Sequence, residues 1–230
     1  MESASAGVIA ALPAGSPSPV LAPPPNCPLC PWLAAYRHAN QLANPDWFNA
    51  PVPSFGPMGV RLLIVGMAPG VRGANRTGRP FTGDHAGILL YQTLLRLGLA
   101  TGSYDARPDD GLVLIDCRVT NAVRCVPPAN LPQPVEVRTC NPYLSAELRT
   151  LPDLRAVLAL GVLSHAAVLK ACGLVPSRVK FKHGAIHELP DGLLLADSYH
   201  VSRYNTNTGL LTTEMFELAV LRLMEKIGLR

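Results

Sequence analysis

A three-layer α/β/α fold around a four-stranded parallel sheet is the fold class this sequence predicts. Three observations predict it. Short apolar runs at 61–65, 112–119, 155–160 and 193–196 read as strands, and such continuous runs suit strands covered on both faces. Helical patterns separate them, and strand–helix alternation yields parallel strands joined by right-handed crossovers. Composition agrees: 48% hydrophobic with only 16% charged residues describes a folded globule, and 230 residues suit one domain with a tail.

The elements follow in chain order. Residues 1–26 are rich in Ala, Pro, Ser and Gly, a composition that buries too little apolar surface to order itself. They are expected to be a disordered tail, with a single domain over 27–230. Residues 30–43 are expected to be helical, with Trp32 and Tyr36 one turn apart. A proline-rich loop, 44–57, leads to the first strand, which Gly66 breaks. Residues 66–83 form a long Gly/Pro/Arg loop. Asp84 then stands where a helix cap belongs, before a helix to Leu97 with Ile88, Tyr91, Leu94 and Leu95 on one face. The second strand, 112–119, ends at Thr120-Asn121. Helices are expected over 135–149, from the third strand to Cys172, and over 212–227. A small hairpin is expected within 179–189, and 197–209 reads as a polar loop. Ligands of such sheets bind beyond the carboxyl ends of the strands. The loops after strands one, two and four bring Gly66 to Asp84, Asn121, and His200 to Asn207 to that edge.

Charge and hydropathy narrow the function classes. No apolar run reaches the roughly 20 residues of a membrane-spanning helix. The N-terminal stretch carries Glu2 and no Lys or Arg, so it lacks the basic region of a secretory signal. A cytoplasmic protein without membrane contact is expected, and a monomer. The net charge is +4, mostly from arginine, with lysine only at Lys170, Lys180, Lys182 and Lys226. That balance permits contact with nucleic acid without requiring it.

Six cysteines in such a compartment are not expected to form disulfides. Cys27 and Cys30 form a Cys-x2-Cys pair that puts two sulfurs on one turn. Cys125 and Cys140 lie far downstream, joined by a stretch stiffened by Pro127, Pro128, Pro132 and Pro134. Four-thiolate sites hold zinc or an iron–sulfur cluster. Zinc often uses two close pairs. The second pair here is far looser, which favours iron–sulfur and leaves zinc open. Cys117 and Cys172 sit in apolar runs and read as plain buried side chains.

Two loops carry the remaining chemistry. Gly66-Met67-Ala68-Pro69-Gly70 follows a strand and alone reads as a tight turn. It lacks the Lys-Ser/Thr of a phosphate loop and the third glycine of a dinucleotide fingerprint. The next stretch, Gly73 to Asp84, adds arginines, an exposed-loop aromatic (Phe81) and a terminal carboxylate. An aromatic can stack on a base, and a carboxylate can stabilise a sugar cation or orient a water. The closing loop sets His200 beside Ser202 and Arg203, both good phosphate partners. His85, His165, His183 and His187 lack comparable neighbours in sequence and read as surface or hydrogen-bonded residues.

Taken together, these motifs resemble the uracil-DNA glycosylase superfamily, specifically its type-5 iron–sulfur branch. The residues that carry the resemblance are Gly66-Met67-Ala68-Pro69-Gly70, Gly78-Arg79-Pro80-Phe81-Thr82-Gly83-Asp84, Thr120-Asn121-Ala122-Val123-Arg124-Cys125 with Pro127-Pro128, and Tyr199-His200-Val201-Ser202-Arg203 with Asn205 to Gly209. They span nearly everything from Cys27 onward. The resemblance implies hydrolysis of the N-glycosidic bond of uracil in DNA, with other deaminated or modified bases accepted, and no lyase step. It implies a 4Fe–4S cluster on Cys27, Cys30, Cys125 and Cys140. It implies that Phe81 stacks on the extruded base, Asn121 bonds its edge, His200 stabilises charge on the leaving base, and Asp84 faces the sugar. Gly66, Met67, Ala68 and Gly70 would line the pocket, and Ser202 and Arg203 would hold the DNA. In the uracil-specific branch a carboxylate stands where this chain has Ala68 and a tyrosine where it has Gly70. Val201 replaces the usual proline. A non-catalytic damage-sensing module on the same fold is the rival reading, and a zinc-stabilised nucleotide hydrolase a weaker one.

Overall fold

The computed structural model describes residues 22–229. Its elements run α1 (Pro31–Ala43), β1 (Leu62–Gly66), α2 (Ala74–Thr77), α3 (His85–Arg96), β2 (Ala100–Thr101), β3 (Val113–Leu114), β4 (Cys117–Asn121), α4 (Pro134–Thr150), β5 (Ala156–Leu160), α5 (Val162–Ala171), β6 (Ile186–Glu188), β7 (Leu194–Ser198), α6 (Arg203–Asn207) and α7 (Thr213–Lys226). The main sheet has the order β4-β1-β5-β7-β6. β4, β1, β5 and β7 are mutually parallel, and β6 pairs antiparallel with β7. The expected four parallel strands are all present. The fifth comes from the expected hairpin region. Its sequence, Ile186-His187-Glu188, is too short and too polar to announce a strand, and its place is set by pairing with β7.

Strand periodicity divides the core into two layers. Leu62, Ile64, Val119, Leu158 and Ala196 point to one face, where Leu90, Leu94, Phe216 and Val220 from α3 and α7 cover them. Leu63, Val65, Val157, Ala159 and Leu195 point to the other, beneath Leu33, Leu144 and Val168 from α1, α4 and α5. Every residue of β1 and β5 is buried, as strands covered on both faces require. Helix starts are built from the same residues that suggest them. Pro31 and Pro134 stand in the first turns of α1 and α4, where the missing N–H costs nothing. The Glu136 carboxylate accepts from the Gln133 N–H at 2.6 Å, and Thr212 Oγ1 accepts from the Met215 N–H at 3.2 Å.

Several expectations change; the stretches 66–83 and 197–209, expected as loops, carry the short helices α2 and α6. The run at 112–119 is not one strand. Asp116 adopts φ 53 and splits it into β3, paired with β2, and β4. The Arg61 guanidinium donates to Asp116 Oδ2 at 2.8 Å and holds that turn. On α3, Ile88 is exposed, and the buried stripe runs through Leu90, Tyr91 and Leu94. Of the residues assigned by composition to a tail, 1–21 lie outside the described residues, while 22–26 are placed and Pro23 is buried.

Candidate active site

The carboxyl ends of β1, β4, β5 and β7 open into one cavity of about 740 Å³. This is an ordinary size for a small-molecule site. Met67, Ala68 and Gly70 line it from the loop after β1, and Asn121 from the end of β4. His200, Ser202 and Arg203 line it from the loop after β7, and Phe81 and Asp84 from the segment before α3. The three side chains given chemical roles from sequence, Asp84, Asn121 and His200, therefore share one space. Gly66 lies behind the wall rather than on it. It is the register partner of Asn121 across the β1–β4 pair. A Cβ there would come 2.5 Å from Asn121 Oδ1 and would overlap the Phe81 ring. Glycine at 66 is what lets the aromatic and the amide approach each other.

Asp84 stands at the start of α3 as expected, but its carboxylate makes no capping bond. It turns toward the cavity instead. Gly70 and Gly73 make room for it: a Cβ at Gly70 would lie 2.8 Å from Asp84 Oδ2, and one at Gly73 would lie 2.7 Å from Asp84 Cγ. The Asp84 side chain thus occupies space that two glycines leave free. Burial pushes the Asp84 carboxyl above its ordinary value, opposed by the nearby Gly87 and Ala86 amides and by His85. Asp84 Oδ1 and Asn121 Oδ1 are both buried with no hydrogen-bond partner among the described residues. Buried polar atoms are rarely left so in folded proteins, and here both belong to residues that line the cavity.

Phe81 is not the exposed aromatic its polar neighbours suggest. It is 6% exposed and adopts φ 52. A non-glycine residue holds that conformation only when its surroundings fix it. The Tyr104 hydroxyl donates to the Phe81 carbonyl at 3.0 Å, and the Tyr91 hydroxyl donates to the Pro80 carbonyl at 2.6 Å. Arg79 forms a two-pronged ion pair with Asp110 at 2.8 and 2.7 Å, in contact range of both tyrosine rings.

His200 lies 6.2 Å from Phe81, ring centre to ring centre. Burial lowers its pKa from 6.5 to about 4, so the imidazole is neutral at physiological pH. Val201 does not loosen this loop. It is fully buried in the core, and Asn205 Nδ2 donates to the His200 carbonyl at 2.7 Å. Ser202 caps α6 by accepting from the Asn205 N–H at 3.4 Å.

Sequence reasoning missed several wall residues. His85 lines the cavity and bonds Thr206 through Nε2 at 2.9 Å. Asn130 accepts from the Val71 N–H at 3.3 Å. Leu160 to Leu163 form the wall after β5, a position signalled by Gly161 directly following a strand.

Between the start of α1, the loop after β4 and α4, the four cysteines converge. Cys27, Cys30, Cys125 and Cys140 line one small pocket together with Arg37, Thr139 and Tyr143, and all are free thiols. Arg37 Nη1 donates to Cys125 Sγ at 3.2 Å, and the Arg124 N–H donates to Cys140 Sγ at 3.4 Å. Among the described residues, only His165, His187 and Asp197 bring three ligand atoms within 4.8 Å of one another.

Comparison with known proteins agrees with this geometry. The model of the uracil DNA glycosylase superfamily matches residues 53–223. A type-5 uracil-DNA glycosylase of Thermus thermophilus is 45% identical over 195 residues, 83% of this chain and 89% of the relative. One of Mycobacterium tuberculosis is 40% identical over 199 residues, 83% and 74% of the two chains. One of Pyrobaculum aerophilum is 40% identical over 193 residues, 82% and 84%. The chain belongs to the uracil DNA glycosylase superfamily.

Proposed function

We infer that this protein is a uracil-DNA glycosylase of base-excision repair, hydrolysing the N-glycosidic bond of uracil in DNA. One observation carries the reading. Asp84, Asn121 and His200 arrive from separate loops at one cavity, and two of them bring buried oxygens that lack a protein partner. The target base must leave the stack to enter such a cavity. Phe81 offers its face to the extruded base. The Asn121 amide complements an imide edge, with its oxygen accepting the ring N–H and its NH2 donating to the adjacent carbonyl. Hypoxanthine presents the same pair of groups, which supports acceptance of both bases. As the C1′–N bond breaks, its electron pair moves onto the base. The neutral His200 imidazole donates a hydrogen bond to that developing anion. The Asp84 carboxylate stabilises the positive sugar and orients water for attack at C1′. The products are free base and an abasic sugar. No lysine lines the cavity, so nothing there can form a Schiff base for strand cleavage.

The test is incubation with duplex and single-stranded oligonucleotides bearing uracil, hypoxanthine or a thymine mismatch, scored for abasic sites. Abasic product from uracil is expected. His200→Ala should slow its single-turnover formation by about 10²-fold or more. Tight binding to uracil-containing DNA without abasic product would favour the damage-sensing alternative.

Within the same reading, Cys27, Cys30, Cys125 and Cys140 hold a 4Fe–4S cluster. The loose spacing of the second pair, Cys125 and Cys140, supports an iron–sulfur centre over a single zinc, which often uses two close pairs. The N–H groups from Arg37 and Arg124 suit thiolates that carry cluster charge. When bound, the cluster supplies a cross-link between the start of α1, the loop after β4, and α4. Anaerobically purified protein is expected to be brown, with iron and sulfide in equal amounts, and Cys140→Ser should lose both. A colourless protein with one zinc per chain would replace the cluster with a zinc site.

A further inference from the structure

The His200 ring has no side-chain hydrogen bond among the described residues; the bond it receives goes to its backbone carbonyl, from Asn205. The ring is held by packing. A Cβ at Gly161 would lie 3.4 Å from His200 Cβ, so the first residue after β5 is the floor beneath it. The position of His200 therefore depends on how the start of α5 is fixed to the end of β7. One link is a backbone bond, from the Gly161 N–H to the Ser198 carbonyl at 2.8 Å.

The other link is a buried polar cluster. His165 lies one turn into α5, with its own N–H bonded to the Gly161 carbonyl at 3.0 Å. Its side chain is 3% exposed, and that of Asp197 is fully buried. Asp197 is in β7, three residues before His200. His165 Nδ1 lies 2.7 Å from Asp197 Oδ1, and Nε2 lies 2.9 Å from the Val179 carbonyl. The ring thus spans the gap between a β7 carboxyl group and a backbone carbonyl, with both nitrogens engaged. The second carboxylate oxygen accepts from His187 Nε2 at 3.0 Å and from the Lys182 N–H at 3.2 Å. The Phe181 ring closes over His165 edge-on at 5.7 Å. The three ligand atoms would also satisfy a loose criterion for a metal site. Their spacing argues against it, because two ligands on a tetrahedral zinc with bonds of about 2.05 Å stand about 3.3 Å apart.

We propose that His165 and Asp197 are positioning residues for His200: their buried hydrogen bond, steadied by His187, fixes α5 to β7 so that Gly161 holds the catalytic imidazole in place. The proposal rests on the role of His200 given above. A carboxylate held by three donors has little freedom, and a shift of about 1 Å in a catalytic group can cost ~10²-fold in rate.

A double-mutant cycle tests it. Single-turnover excision from uracil duplex and DNA affinity are measured for wild type, His165→Gln, His200→Ala and the pair. His165→Gln is expected to slow excision by ~10-fold, with DNA affinity unchanged within about twofold. In the His200→Ala background the same change should cost less than about twofold. Equal slowing in both backgrounds would mean a general loss of folded enzyme and would overturn the proposal, as would a wild-type rate for His165→Gln. If His200→Ala alone excises normally, the failure lies with the proposed function instead. Should His165→Gln not fold, His187→Gln removes one donor from a part-exposed position. It is expected to slow excision by about threefold, again only with His200 present. Nitrogen NMR of the histidine-labelled holoenzyme adds an independent readout. His165 should show hydrogen-bonded nitrogens with no metal attached, and a zinc-bound nitrogen would overturn the assignment.

Discussion

Asp84→Asn is expected to reduce single-turnover excision by roughly 10²–10³-fold while leaving DNA affinity nearly unchanged and raising the melting temperature at neutral pH. The two effects share one cause. Burial raises the Asp84 carboxyl pKa above the ordinary 3.8, and the Gly87 and Ala86 amides and His85 only partly offset it. A carboxyl with a raised folded pKa adds full stability below its unfolded pKa and loses it as pH rises through the folded one. At neutral pH the ionised group is therefore a cost that asparagine removes. The gain in melting temperature should shrink as pH falls toward the unfolded value. Asparagine lacks the negative charge that an oxocarbenium-like sugar requires, so the same change removes the chemistry.

The pH–rate profile should carry the same signature. Wild-type excision is expected to fall in acid with a midpoint above pH 3.8, as Asp84 protonates. His200 stays neutral down to about pH 4. No inflection from His200 at its ordinary value of about 6.5 is expected. For stability its sign is opposite to that of Asp84. The contribution of the buried neutral ring is present above about 6.5 and lost as pH falls through about 4. A limb centred near pH 6.5 that persists in Asp84→Asn and vanishes in His200→Ala, or an Asp84→Asn variant that excises at the wild-type rate, would sink the assignments.

Glu147→Ala should produce the largest loss of stability, about 3–5 kcal/mol, because it leaves a buried cation without its partner. Glu147 is 1% exposed and lies between two guanidinium groups. Arg124 Nη2 donates to Oε2 at 2.6 Å, and Arg118 Nε donates to Oε1 at 2.7 Å. Burial alone would push the Glu147 carboxyl up, but Arg124, Ser54 and Arg118 outweigh it and hold the group below its ordinary value. Arg124 is itself 1% exposed, its Nε has no partner, and Nη1 donates to Ser54 Oγ at 2.8 Å. Arg118 has other acceptors, the carbonyls of Gly56 and Pro57. Arg124 would keep only Ser54. Because the Arg124 N–H donates to Cys140 Sγ, the variant should also loosen the proposed cluster site. Denaturant unfolding measures the first effect and retention of any bound metal after dialysis the second. A midpoint shift worth less than about 1 kcal/mol would show that Arg124 finds another way to satisfy its charge.

The sheet was legible because its strands are continuous apolar runs in a chain of alternating periodicity. β1, β5 and β7 could be read almost to the residue from that signal. β6 and the split at Asp116 could not, since a three-residue edge strand and a single left-handed residue leave no periodic trace. That Asp84, Asn121 and His200 would share one cavity was legible through motif resemblance, and sheet topology alone already assigned three of the loops to one edge. The His165–His187–Asp197 cluster was invisible because its members are far apart in sequence and join only when α5, β6 and β7 are assembled.

The order of strands and helices, the three chemical side chains and the four thiols were therefore determined by the chain's own pattern. Local periodicity and turn chemistry act over a few residues, and both are written in the sequence. Which atoms meet was decided by the tertiary structure. Glycine at 66, 70 and 73 acquires its meaning only from the side chains that press against it, and Val201 is held firmly only because the core closes around it. The neutral state of His200 and the raised pKa of Asp84 come from desolvation, which exists only once the surrounding layers have excluded water.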